Sequence, residues 1–139
     1  MPSRRILVAD DDEHIRLTLT DLLEAEGYEV EAVSGGTQAV FAARRPHPDG
    51  PFWAALLDYK MPGMDGVEAV YTIHRDVPET RLVLISAQGT FDTAADAVTY
   101  GAAAILPKPF TPVQVRKLLR DLDADDRPAT PETSGAASG

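Results

Sequence analysis

"ILVADDDEHIRLTLTDLL", residues 6–23, opens with an apolar run, turns through three aspartates and continues with a helical period. Ile6–Ala9 has strand length and no polar residue. Ile15, Leu19, Leu22 and Leu23 then fall at i, i+4, i+7 and i+8, the stripe of an amphipathic helix. A strand that ends in acid and passes straight into a helix is the first half of a strand–helix–strand unit. Four further apolar runs follow, at Tyr28–Val33, Trp53–Leu57, Leu82–Ile85 and Ala103–Leu106, and segments of helical period separate them. Val115, Leu118, Leu119 and Leu122 form the last stripe, while Ala39, Val40 and Ala43, then Val67, Val70 and Tyr71, form weaker ones.

Strands alternating with helices predict an α/β domain with a parallel sheet. The first, third and fourth runs are continuously apolar, as in strands covered on both faces. Right-handed crossovers leave doubly wound orders favoured. Gly27 and Gly101 stand where helices should stop, and Thr111–Pro112 reads as an N-cap with proline in the first helical position. Trp53 is expected in the core at the start of the third strand. The periodic signal ends at Leu122. Residues 123–139 hold no apolar side chain larger than alanine and are expected to be a disordered acidic tail, leaving 4–122 as one domain.

Composition narrows the function. The net charge of −9 divides into 17 acidic and 12 basic side chains over residues 1–120, and 5 and 1 beyond. No basic stripe exists for nucleic acid. The chain has no cysteine, so disulfides and thiolate metal sites are excluded. With no apolar run of roughly 18 residues and no secretory leader, a cytoplasmic protein is expected.

Open α/β sheets bind ligands at the carboxyl ends of their strands. Here those ends carry Asp10, Asp11 and Asp12, then Asp58, then Ser86, then Lys108. An aspartate after a strand is by itself more often a turn residue or cap. Several acids brought together would repel, and would raise a pKa unless a cation joined them. Oxygen donors alone suit Mg²⁺ or Mn²⁺, and a lysine and a hydroxyl beside that ion make a place for a phosphoryl group.

These residues, in "ILVADDDEHIR", "LLDYKMPGMDG", "LISAQG" and "GAAAILPKPF", resemble the receiver domain of two-component response regulators, over about Arg4 to Leu122. The resemblance implies a flavodoxin-like five-stranded sheet in the order 2-1-3-4-5. It implies Asp58 as phosphoacceptor, and Asp10, Asp11, Asp58 and the backbone carbonyl of Lys60 as the Mg²⁺ (or Mn²⁺) site, Asp10 acting through water. Ser86 matches the switch hydroxyl, Lys108 the partner of the phosphoryl oxygens, and Lys108–Pro109 a cis peptide. Tyr59, Lys60 and Gln88 hold positions that in this family influence phosphoryl lifetime, with Lys60 as a shield against water. Asp12 is left as the N-cap of the first helix.

The implied partners are a sensor histidine kinase or phosphotransfer protein and a downstream protein. Phosphorylation-linked homodimerisation through the fourth-helix face is compatible with this reading. The implied protein is a phosphoacceptor regulator rather than an enzyme, with no DNA-binding output domain after residue 122. One departure is Ile105, at a position where the family often has an aromatic switch, so Ser86 and backbone shifts near the fourth helix would carry the signal. The candidate partner surface is Thr90–Tyr100, Ile105 and Val113–Arg120. His14, His47 and His74 are scattered, and no phosphohistidine role is assigned to them. The alternatives are a phosphorelay shuttle, or a receiver fragment of a larger regulator or hybrid kinase. A Mg²⁺-dependent aspartyl-phosphate phosphohydrolase usually has a second aspartate two residues after its nucleophile, and Lys60 at that position counts against it.

Overall fold

A computed structural model describes residues 4–87 and 91–124. Five strands and five helices alternate: β1 (Arg5–Ala9), α1 (Glu13–Ala25), β2 (Glu29–Val33), α2 (Gly36–Arg44), β3 (Ala54–Asp58), α3 (Gly66–Asp76), β4 (Arg81–Ala87), α4 (Phe91–Thr99), β5 (Ala104–Lys108) and α5 (Pro112–Ala124). The sheet is parallel throughout, in the order β2-β1-β3-β4-β5. The flavodoxin-like doubly wound fold expected from the sequence is therefore the fold observed.

Strand alternation builds two cores. Ile6, Val8, Leu56, Val83 and Ile85 point to one face and pack with Leu19 and Leu23 of α1 and Val115, Leu118, Leu119 and Leu122 of α5. Leu7, Ala9, Ala55, Leu57, Leu82 and Leu84 point to the other and pack with Ala39, Val40 and Ala43 of α2 and Val70 and Ile73 of α3. Burial on both faces explains why β1, β3 and β4 read as unbroken apolar runs.

The helix boundaries follow their caps. Asp12 Oδ1 accepts from the backbone N–H groups of His14 (2.9 Å) and Ile15 (3.3 Å), as expected for an N-cap. Thr111 Oγ1 accepts from Gln114 N (3.2 Å) while Gln114 Oε1 accepts from Thr111 N (2.7 Å), closing α5 reciprocally. Gly27 and Gly101 take positive φ after α1 and α4.

Helix α5 ends at Ala124, where buried Leu122 holds the last turn and Asp123 pairs with Arg4 at 2.6 Å. Tail residues 125–139 lie outside the described residues. Trp53 is half-buried and precedes β3 rather than opening it. Its ring stacks on Tyr28 at 5.5 Å and lies under the Arg4 guanidinium at 4.5 Å, so it seals the edge of the core. Among the described residues, no helix is long and apolar enough to cross a membrane.

Candidate functional site

Register brings the acids together. Ala9 of β1 pairs with Leu57 of β3, so the next residues on these adjacent strands, Asp10 and Asp58, are neighbours. Asp10 is fully buried and Asp58 is 5% exposed, whereas Asp11 faces solvent. Carboxylate oxygens of all three lie within 4.8 Å of one another. Asp12, the fourth acid at this end, is turned into the cap of α1, so the acidic run divides into a cluster and a cap.

Lys108 closes the cluster from the far edge. It stands on β5, with β4 between it and β3, a gap of roughly 9–10 Å at normal strand spacing. Only a long side chain bridges that distance. Its Nζ lies 2.8 Å from Asp58 Oδ1 and 3.3 Å from Asp10 Oδ2. Both contacts pair charges, and Asp10 Oδ2 accepts no hydrogen bond. Asp10 Oδ1 accepts from the backbone N–H of Asp12 at 2.9 Å. Lys108–Pro109 is cis.

Protonation follows from these contacts. Burial raises the Asp58 pKa above the ordinary carboxyl value; the Lys108 hydrogen bond opposes this, and the Asp10 charge adds to the rise. Burial works against the Lys108 ammonium, but its contacts with Asp58 and Asp10 prevail and hold its pKa above the usual lysine value. The site thus keeps a permanent cation beside carboxylates that gain from a second one.

The donor set fits a hard divalent cation. Every donor is oxygen, the three carboxylates converge within the reach of one ion, and a buried carboxylate oxygen is left without a hydrogen bond. Lys60 is exposed and lines a shallow depression with Asp11, Tyr59, Met61, Pro62 and Asp65, beside the cluster. Ser86 is buried at the end of β4, one residue beyond Ile85, which pairs with Asp58. Its hydroxyl is 3.4 Å from the carbonyl of Ala87. Gln88 and Thr90 lie outside the described residues. His14 shares a groove with Lys108, Pro109 and Phe110.

Comparison with known proteins identifies the family. The response regulator receiver domain matches residues 6–120. The chain belongs to the response regulator receiver domain family. This receiver is 30% identical over 120 residues to sporulation initiation phosphotransferase F of Bacillus subtilis, covering 86% of this chain and 94% of that one. It is 31% identical over 117 residues to chemotaxis protein CheY of Thermotoga maritima, covering 84% and 94%. It is 35% identical over 130 residues to the DNA-binding response regulator MtrA of Mycobacterium tuberculosis, covering 91% of this chain and 54% of that one. Among solved structures, a CheY-like receiver domain protein from Methanospirillum hungatei matches with a TM-score of 0.81 at 28% identity, over 91% and 98% of the two chains.

Two contributors escaped the sequence reading. Arg16 Nη1 donates to the carbonyl of Asp10 at 2.7 Å. A guanidinium near a helix N-terminus opposes the helix dipole, and that misplaced charge was the available signal. Asp65 caps α3, accepting from Glu68 N at 2.9 Å, in a capping box with Glu68. Its Asp-x-x-Glu spacing was legible.

Proposed function

We propose that this receiver accepts a phosphoryl group on Asp58 from a phosphohistidine of a sensor histidine kinase or phosphotransfer protein. Asp10, Asp11, Asp58 and the backbone carbonyl of Lys60 would hold the Mg²⁺ or Mn²⁺ on which the transfer depends. The observation that carries this reading is the buried Asp58 carboxylate held between the Lys108 ammonium and the Asp10–Asp11 acids.

An Asp58 oxygen attacks phosphorus in line. A P–O bond forms, the P–N bond breaks, and its electron pair stays with the departing imidazole. A divalent ion held by the carboxylate oxygens of the cluster would supply positive charge against the phosphoryl oxygens. Lys108 supplies the fixed cation on the other side and is already paired with the attacking group. Ser86 donates its hydroxyl to a phosphoryl oxygen once its loop moves inward, and that motion is the switch. Lys60, at the exposed rim, shields the acyl phosphate from water.

The downstream protein would meet the face of α4, β5 and α5, where Val98, Tyr100 and Val113 are exposed apolar side chains. Ile105 is half-buried against the α2–α4 side of the sheet and has no ring to reorient. A second reading, a phosphorelay shuttle, is favoured by the match over nearly the whole of a phosphotransferase. Passage of labelled phosphoryl from Asp58 to a histidine-containing phosphotransfer protein separates the two.

The test is the intact mass after incubation with Mg²⁺ and a small phosphodonor. The wild type should gain one phosphoryl group, and Asp58→Asn or chelation should abolish the gain. A wild type that gains none with any donor defeats the proposal.

A further inference from the structure

Asp10 has its polar groups committed in three directions. Its N–H continues the sheet by donating to Val33 O at 3.1 Å. Its Oδ1 accepts from Asp12 N at 2.9 Å, and its carbonyl accepts from Arg16 Nη1 at 2.7 Å. Only Oδ2 accepts no hydrogen bond, and it is the oxygen beside Lys108. The carbonyl held by Arg16 belongs to the peptide unit that joins Asp10 to Asp11. Fixing that plane fixes where the buried carboxylate and the exposed one leave the strand.

We infer that half-buried Arg16 is a positioning residue for the divalent-cation site: its guanidinium locks the Asp10–Asp11 peptide so that both carboxylates face Asp58. This rests on the metal reading proposed above. Arg16 sits on the first turn of α1, where its charge opposes the helix dipole, and its backbone N–H already bonds Asp12 O at 3.0 Å. The side chain bends back to the strand end, where it donates to the Asp10 carbonyl.

Charge and geometry predict opposite signs, which makes the inference decidable. A cation near the carboxylates repels a second one, so charge alone predicts tighter Mg²⁺ binding when Arg16 is neutralised. Positioning predicts weaker binding, because partners that orient metal ligands commonly change affinity by 10–100-fold.

The experiment titrates the wild type, Arg16→Met and Arg16→Lys with Mg²⁺ alone at constant ionic strength. Amide chemical shifts of Asp11 and Asp12 give Kd, and urea unfolding is measured in parallel. Methionine keeps the packed stem and removes the donors; lysine keeps the charge and a donor. Arg16→Met should bind Mg²⁺ about tenfold more weakly, and Arg16→Lys should stay within about threefold of wild type. Binding by Arg16→Met within about threefold of wild type, or tighter, overturns the inference, as does an equal loss in both variants. A lower urea midpoint with Kd unchanged assigns Arg16 to stability alone and overturns it too. If the wild type shows no saturable Mg²⁺ binding, the metal reading fails first and this inference falls with it.

Discussion

The Lys108 ammonium stands 2.8 Å from Asp58 Oδ1, a contact made over the intervening strand β4. It does not cancel the effect of burial, because the Asp58 pKa remains raised. A carboxyl with a raised folded pKa favours folding below its unfolded pKa, and that contribution is lost as pH rises through the folded pKa. At neutral pH without metal, Asp58 therefore costs stability. Asp58→Asn should be more stable than wild type at pH 7, by on the order of 1 kcal/mol, with the advantage vanishing near and below about pH 4. Urea unfolding at a series of pH values measures it. A variant less stable than wild type at pH 7 would show that the Lys108 contact outweighs burial.

The adjacent acids should separate in function. Asp12 accepts from two backbone N–H groups at the start of α1, while Asp11 lies within the carboxylate cluster. Asp12→Ala should lose about 1 kcal/mol of stability and keep Mg²⁺ affinity. Asp11→Ala should abolish Mg²⁺ binding with little change in the unfolding midpoint. The reverse pattern in calorimetric titration with Mg²⁺ would move the site by one residue.

How much of this was legible depended on whether one strand or several elements carried the signal. β1, β3 and β4 could be read because burial on both faces leaves unbroken apolar runs, and Asp10, Asp58 and Ser86 could be placed because they end those strands. The pairing of Asp10 with Asp58 needed the register Ala9–Leu57, which no single segment contains. Lys108 was recognisable as a strand-end residue, but its reach across β4 was not. Trp53 misled because an aromatic residue opening an apolar run reads as core, whereas its stacking on Tyr28 and Arg4 is set by neighbours far apart in sequence. The carbonyl contact of Arg16 is invisible to any pattern of apolar spacing.

Ser86 is buried, yet its hydroxyl takes no direct part in bond making in the proposed transfer. Ser86→Ala should still accept a phosphoryl group, with an extent within about threefold of wild type, since the attacking carboxylate and Lys108 are untouched. It should lose the chemical-shift changes that phosphorylation produces over α4 and β5. Intact mass and amide spectra, taken on one sample, report the two properties separately. Full α4 shifts in the phosphorylated variant would remove Ser86 from the switch.

Gly66 tests how tightly the phosphoacceptor strand end is held. Its N–H donates to Tyr59 O at 2.8 Å, which ties the start of α3 to the residue after Asp58. A Cβ at this position would clash with the carbonyl oxygen of Asp58 and stand 2.7 Å from Leu84 Cδ1. The leucine could rotate, but the carbonyl belongs to the backbone that carries the nucleophile. Gly66→Ala must therefore move α3 away from β3 or move Asp58 itself. Overpacking of this kind costs about 1–3 kcal/mol, so the urea midpoint should fall. If Asp58 moves, its 2.8 Å alignment with Lys108 is lost, and phosphoryl uptake should fall by about a hundredfold, the scale for a misplacement of about 1 Å at a reacting centre. If α3 moves instead, stability drops alone. Rate of adduct formation against unfolding free energy decides which element yields, and a variant unchanged in both would mean the packing around Asp58 is looser than these distances indicate.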